Sequence, residues 1–280
     1  MTLKSIGSYV KLFQTCHDDG KTMQSLGVLG VGELTEKVVK GLRNSGYAGQ
    51  INLSPRNQQR ALALGSQYGC EVMVSNQAVV DRSEVLMLGV RPDAVERLSE
   101  EVAMGPGKTL ISLVAGMQIA ELSRCFHGAS VVRVMLSCAA EINRTTVVIY
   151  PANAAVQQCL SALGTVIVLA DESAFETATV AACMNGWFYF WLHELQQWFV
   201  DQGLPEGQAR KLLLSNLEDC LSSAKHDLKT PLASMGSAIA TPGTFTAKGL
   251  EMLEKQNFSA PWTHAFDAVL KDLTADSKQR

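Results

Sequence analysis

The chain reads as an α/β protein in two parts: a doubly wound parallel sheet over residues 25–170 and an all-helical part over 171–280. Three observations predict this. From Ser25 to Leu169 short apolar runs alternate with stretches of helical spacing, the pattern of βαβ units. After Asp171 the strand signal stops, and long helical pattern is broken only by GLPEG, TPLA and ATPGTFT. A glycine-rich turn, Gly30-x-Gly32, directly follows the first strand. Residues 1–24 read as an extension ahead of the first strong element.

Each element has its own signal. SLGVLG (25–30) and INLS (51–54) are strands, with helical spacing between them over 33–46 and Gly46 as the stop. A helix over 57–69 precedes the β-rich runs at 71–75, 84–90, 109–114 and 130–136. Helices at 92–103 and 118–126 separate the last of these runs. Strands at 145–151 and 164–170 flank a helix near 152–163.

Composition narrows the function. Apolar residues make up 47% of the 280 and charged residues 18%, an ordinary globular balance. The net charge of −3 gives no footprint for nucleic acid or an anionic membrane. Seven cysteines occur with no C-x-x-C pair, which predicts neither a disulfide framework nor a metal site but buried free thiols in a cytoplasmic protein. The stretch ACMNGWFYFWLHELQQWF (182–199) holds three of the four tryptophans. Its charge-free run, Thr177 to Leu192, falls short of the roughly 20 residues a membrane span needs, so it reads as a buried helix. His193 there reads as a structural histidine.

The chemistry sits in the glycine turn. Gly30-x-Gly32-x-x-Thr35, between a strand and a helix, lets a pyrophosphate approach the backbone and meet helix N–H groups. A tight turn with no ligand is the alternative. The second strand ends in Ser54-Pro55-Arg56-Asn57, with no acidic residue until Glu71. An acid there would serve the ribose hydroxyls of NAD; arginine with small polar groups suits the 2′-phosphate of NADP. NADP(H) is the expected cofactor.

In register from Leu26 to about Leu273, the chain resembles the pyrroline-5-carboxylate reductases. LGVLGVGELTEKVVKGL is similar to their opening G-F-I-G-x-G-N-M-A, LMLGVRPDAV to their A-V-K-P loop, and LISLVAGMQIAEL to S-I-x-A-G-V. QGLPEGQARKLLLSNLEDCLSSAK and ATPGTFTAKGLEMLEKQNF resemble the motifs of the second domain. The resemblance implies a Rossmann-type domain over 25–170 and a helical dimerisation and substrate domain over 171–280, forming a homodimer with the helix of roughly Phe188 to Phe199 buried at the subunit interface. Each active site would be built where the cofactor domain and the helical domains meet. It implies NADPH-dependent reduction of the cyclic imine 1-pyrroline-5-carboxylate to L-proline. Cofactor contacts would fall on Gly30, Gly32, Glu33 and Leu34, on Ser54, Arg56 and Asn57, and on Val90, Arg91, Pro92, Ala115 and Gly116. The substrate would meet Thr241, Gly243, Thr244, Phe245 and Trp187, with Thr246 as the catalytic hydroxyl at the imine nitrogen.

The chain departs from that family at the chemistry. R-V-M-P-N-T-P has become Arg133-Val134-Met135-Leu136-Ser137-Cys138-Ala139. In the substrate loop Thr244 replaces a glycine, and β-branched residues resist positive φ. Cys183, Met184 and Trp187 stand where the family has small residues. Three readings stay open: the family reaction, a related reductase acting on a bulkier imine or carbonyl compound, and a non-catalytic NADP-binding protein. Thr246 has an alternative of its own, as the N-cap of the helix that follows it.

Overall fold

Fully apolar strands buried on both faces need helices on both sides, and the chain supplies them. The computed structural model describes residues 25–275; the extension read over 1–24 lies outside the described residues. The chain divides into two units, with the boundary between Phe175 and Glu176.

In the first unit the strands are β1 (Ser25–Leu29), β2 (Gln50–Leu53), β3 (Glu71–Val72), β4 (Val85–Leu88), β5 (Thr109–Ser112), β6 (Ser130–Met135), β7 (Thr145–Tyr150) and β8 (Gly164–Val168). They form one sheet in the order β3-β2-β1-β4-β5-β6-β7-β8. Its helices are α1 (Glu33–Asn44), α2 (Gln58–Tyr68), α3 (Asn76–Asp81), α4 (Val95–Glu101), α5 (Ile119–Cys125) and α6 (Ala154–Leu160). The chain moves outward from β1 to β3, then returns to place β4 on the other side of β1. That reversal opens a crevice beyond the strand ends, where such sheets bind ligands.

Alternation along the strands feeds two cores. Leu26, Val28, Val85 and Met87 join Val38, Val39 and Leu42 of α1 on one face. Leu29, Leu86 and Leu88 join Val79, Val95 and Leu122 on the other. Each fully buried aliphatic side chain contributes about 2 kcal/mol. Close approach of α1 to the 3-10 turn at Cys138–Ile142 depends on Gly41, because a Cβ there would lie 2.0 Å from the Ala140 carbonyl oxygen. Gly41→Ala will therefore lower unfolding free energy by about 2 kcal/mol, read from urea melts at constant m-value.

Three elements differ from the sequence reading. β7 runs antiparallel to β6. Residues 136–144 carry only the 3-10 turn, too short for the crossover of a dozen or more residues that a parallel return requires. β3 stops at Val72, because Ser75 leaves the sheet to cap α3, accepting the Ala78 N–H at 3.1 Å. The helix read over 92–103 is a 3-10 turn (Pro92–Ala94) followed by α4.

A charge network ties α1, α2 and the 3-10 turn. Glu36 meets Arg60 and, at 2.8 Å, Lys40; Glu141 meets Lys37 and, at 3.4 Å, Lys40. Burial pushes the Glu36 carboxyl up, but hydrogen bonds from Lys40 and Arg60 outweigh it and hold the group below its ordinary 4.5. The hydrogen bond from Lys37 lowers Glu141 likewise. Carboxylates lowered by folding stabilise above their unfolded value and lose that stabilisation as pH falls through the folded value. The urea midpoint should stay level down to about pH 5 and decline below it, with Glu36→Gln removing part of the decline.

The second unit holds most of α7 (Glu172–Asp201), then α8 (Glu206–His226), α9 (Leu232–Ile239), α10 (Phe245–Lys255) and α11 (Ala260–Thr274). The expected buried helix over 177–192 is not buried in the single chain: Tyr189 is 71% exposed and Phe190 77%. Within the described residues of this unit, α9, α10 and α11 contain no buried residue either. His193 is also exposed, not enclosed among apolar neighbours. Nor are all the thiols buried, since Cys138 and Cys220 are exposed. Among the described residues no helix is long and apolar enough to cross a membrane.

Candidate active site

β1 delivers the chain into Gly30-Val31-Gly32 at the crevice, and α1 leaves from Glu33. Gly30 adopts φ +94°, and a Cβ there would stand 2.6 Å from Val90 Cγ1, so both backbone conformation and space demand glycine. Its N–H donates to Ser54 Oγ at 3.0 Å. Gly32 is different. Its φ of −93° suits any residue, and a Cβ there would meet only the Gly89 carbonyl, at 3.8 Å. The fold does not need glycine at 32, and the missing side chain leaves the backbone open to close approach by a ligand.

An open cleft of about 420 Å³ is lined by Gly30, Val31, Gly32, Arg56, Asn57, Gln58 and Gly89. A larger hollow, about 580 Å³, lies at the opposite end of the strands between Tyr47 and Cys159. Burial pushes the Cys159 thiol up to about 11, which leaves it without nucleophilic character. The smaller cleft is the one lined by the glycine turn and Arg56.

Around that cleft the predicted cofactor residues separate into roles. Ser54 is 1% exposed and its oxygen is held by Gly30, so it supports the turn from below instead of facing a 2′-phosphate. Asn57 caps α2 by accepting the Arg60 N–H at 3.4 Å and donates to the Val31 carbonyl at 3.1 Å, clamping the two loops together. Arg60 is engaged by Glu36. Arg56 is exposed and has no ion-pair partner among the described residues, so it is the cation free to take an anion here. Helix geometry leaves the first N–H groups of α1, those of Glu33 and Leu34, without intrahelical partners. Val90, Arg91 and Pro92 follow the end of β4, and Ala115 and Gly116 follow the end of β5, on the same edge of the sheet. These residues fit a dinucleotide with a 2′-phosphate.

The altered β6 turn is held by other means than proline. Leu136 is buried, Ser137 N–H donates to Thr145 Oγ1 at 2.8 Å, and Ser137 Oγ accepts the Ala139 N–H at 3.3 Å. Beneath it Arg133, fully buried, donates to Glu172 at 2.9 Å and lies 4.4 Å over the Phe175 ring.

In the helical unit, Thr241 to Thr246 lead into α10. Gly243 takes the positive φ, +86°, while Thr244 sits at −87° and needs none. The glycine-to-threonine change is thus compatible with the loop. Thr244, not Thr246, is the N-cap: its Oγ1 accepts the Ala247 N–H at 3.1 Å and donates to the Thr241 carbonyl at 2.7 Å. Thr246 lies one residue inside the helix, exposed, its hydroxyl without a hydrogen bond among the described residues. Phe245 beside it is 94% exposed. Trp187 packs within the unit, its ring 5.9 Å from Phe266 and nearly parallel to it, and 6.3 Å from Trp262. It fastens α7 to α11, an anchoring role that spacing along one helix could not reveal.

Residues 25–116 match the family model described as NADP oxidoreductase coenzyme F420-dependent. Residues 172–275 match the model for pyrroline-5-carboxylate reductase dimerisation. The chain belongs to the pyrroline-5-carboxylate reductase family. It is 27% identical to a pyrroline-5-carboxylate reductase of Pisum sativum, covering 88% of this chain and 94% of that one. The fold is that of the 1-pyrroline-5-carboxylate reductase of Streptococcus pyogenes, with a TM-score of 0.80 and 22% identity over 89% and 97% of the two chains. A Plasmodium falciparum pyrroline carboxylate reductase with NADP bound gives the same TM-score at 20% identity, over 90% and 98%. The chain thus shares the fold of these reductases at 20–22% identity to the two solved structures.

Proposed function

We propose that the chain is an NADPH-dependent reductase of cyclic imines that converts 1-pyrroline-5-carboxylate to L-proline. The observation that carries this is Arg56, a cation with no ion-pair partner among the described residues, set beside a glycine turn whose Gly32 the fold itself does not require. NADPH held there supplies a hydride to the imine carbon. The turn and the Glu33 and Leu34 N–H groups take the pyrophosphate, Arg56 takes the 2′-phosphate with Asn57 beside it, and Ser54 supports the turn. Val90 to Pro92 and Ala115 with Gly116 border the nicotinamide end.

The loop Thr241 to Thr246 takes the substrate. As the carbon–nitrogen π bond gives way to a new carbon–hydrogen bond, its electron pair moves to nitrogen, which gains a proton. The Thr246 hydroxyl donates a hydrogen bond to that nitrogen and keeps it positioned for protonation. Thr244 holds the start of α10, and Phe245 limits what can lie beside Thr246.

The protein acts as a homodimer through the helical unit. Phe190, Leu232, Ile239 and Phe245 are 67–94% exposed in the single chain, far more apolar surface than a monomeric helical unit leaves in water. Scattered cysteines without a C-x-x-C pair support a cytoplasmic location. Steady-state oxidation of NADPH with 1-pyrroline-5-carboxylate, and proline as product, tests the assignment. Tight NADPH binding without turnover would exclude it; turnover with a bulkier imine alone would move the substrate but keep the chemistry.

A further inference from the structure

We infer that Thr35 is the positioning residue that shapes the phosphate-binding turn before any nucleotide arrives and couples it to the loop after β4. The inference rests on the reading of that turn as the NADPH site. Thr35 occupies the third-glycine slot of the fingerprint and is 1% exposed. Its hydroxyl accepts the Gly32 N–H at 2.9 Å and donates to the Gly30 carbonyl at 2.9 Å, so one side-chain oxygen ties the two ends of the glycine turn.

Its methyl does a second task. A Cβ built on Gly89 would fall 2.1 Å from Thr35 Cγ2, so the threonine methyl fills the notch that the missing side chain of Gly89 leaves. Gly89 is itself fixed to β1 by donating to the Leu29 carbonyl at 2.9 Å, and Val90 next to it presses on Gly30. Thr35, Gly89 and Val90 therefore lock the turn against the loop that borders the nicotinamide end. With the Gly32 N–H already satisfied by Thr35, the Glu33 and Leu34 N–H groups remain for phosphate oxygens. A turn set in advance spares the ordering that binding would otherwise require.

The test is NADPH affinity by isothermal titration, with thermal unfolding of each ligand-free variant as the check on folding. Thr35→Val keeps the shape and removes the hydroxyl; it is expected to weaken NADPH about 10-fold, the scale of one hydrogen bond, and to raise KM for NADPH with little change in kcat. Thr35→Ser is expected to restore affinity to within about 2-fold. Gly89→Ala retains the hydroxyl group but pushes the Thr35 side chain out of position, and is expected to weaken NADPH by a similar factor. Wild-type affinity in a folded Thr35→Val or Gly89→Ala protein overturns the inference, as does a Thr35→Ser protein no tighter than the valine variant. A wild-type protein that binds no NADPH removes the functional reading, and this inference with it.

Discussion

Thr246→Val will lower kcat by about 100- to 1,000-fold while leaving the fold and NADPH affinity unchanged. Valine matches threonine in shape, so only the hydroxyl is lost. Because Thr244 provides the cap of α10, the Thr246 hydroxyl is not needed to hold the helix. It is exposed and unbonded among the described residues, so its removal leaves no buried group unsatisfied. A group that acts only on the reacting nitrogen shows its loss in kcat, with substrate KM moving far less. Thr244→Val gives the contrast: the cap goes, α10 loses about 1 kcal/mol, and turnover suffers only as far as the loop loosens. Single-turnover rates beside thermal melts separate the two variants.

Arg56→Ala will weaken NADPH on the order of 100-fold and leave NADH within about 2-fold, reversing any preference between them. The guanidinium is exposed at the cleft rim and holds no carboxylate among the described residues, so nothing must be broken to engage a 2′-phosphate. Arg60, in the first turn of α2, cannot substitute, because Glu36 holds it. Equal losses for both nucleotides would place Arg56 on the pyrophosphate; no loss for either would remove it from the site. Competitive displacement titrations with NADPH and NADH read the difference directly.

Much of this was legible from residue patterns. Period-2 apolar runs such as Leu26 and Val28 against Leu29 mark the doubly buried strands, and Gly30-x-Gly32 before Glu33 marks the turn. The end of β2 gave Arg56 because the residue type itself carries the charge. Partners set by the fold were not legible. That Ser54 would lie beneath Gly30, or that Thr35 would meet Gly89, depends on contacts between segments far apart in sequence. The antiparallel β7 escaped because strand direction follows connection length and not strand composition. The resemblance sets Trp187 beside the substrate, and its packing on Trp262 and Phe266 of another helix was not legible from it. The exposed face of α7 is compatible with the expected helix at a subunit interface, where a second chain supplies the cover.

The central claim is that this chain moves a hydride from NADPH to the imine carbon of 1-pyrroline-5-carboxylate. NADPH carrying deuterium at both C4 positions, incubated with the protein and this imine, tests it in one mass spectrum. The expected product is L-proline bearing a single deuterium on the former imine carbon. Unlabelled proline, or NADPH bound and retained with no proline formed, would contradict it.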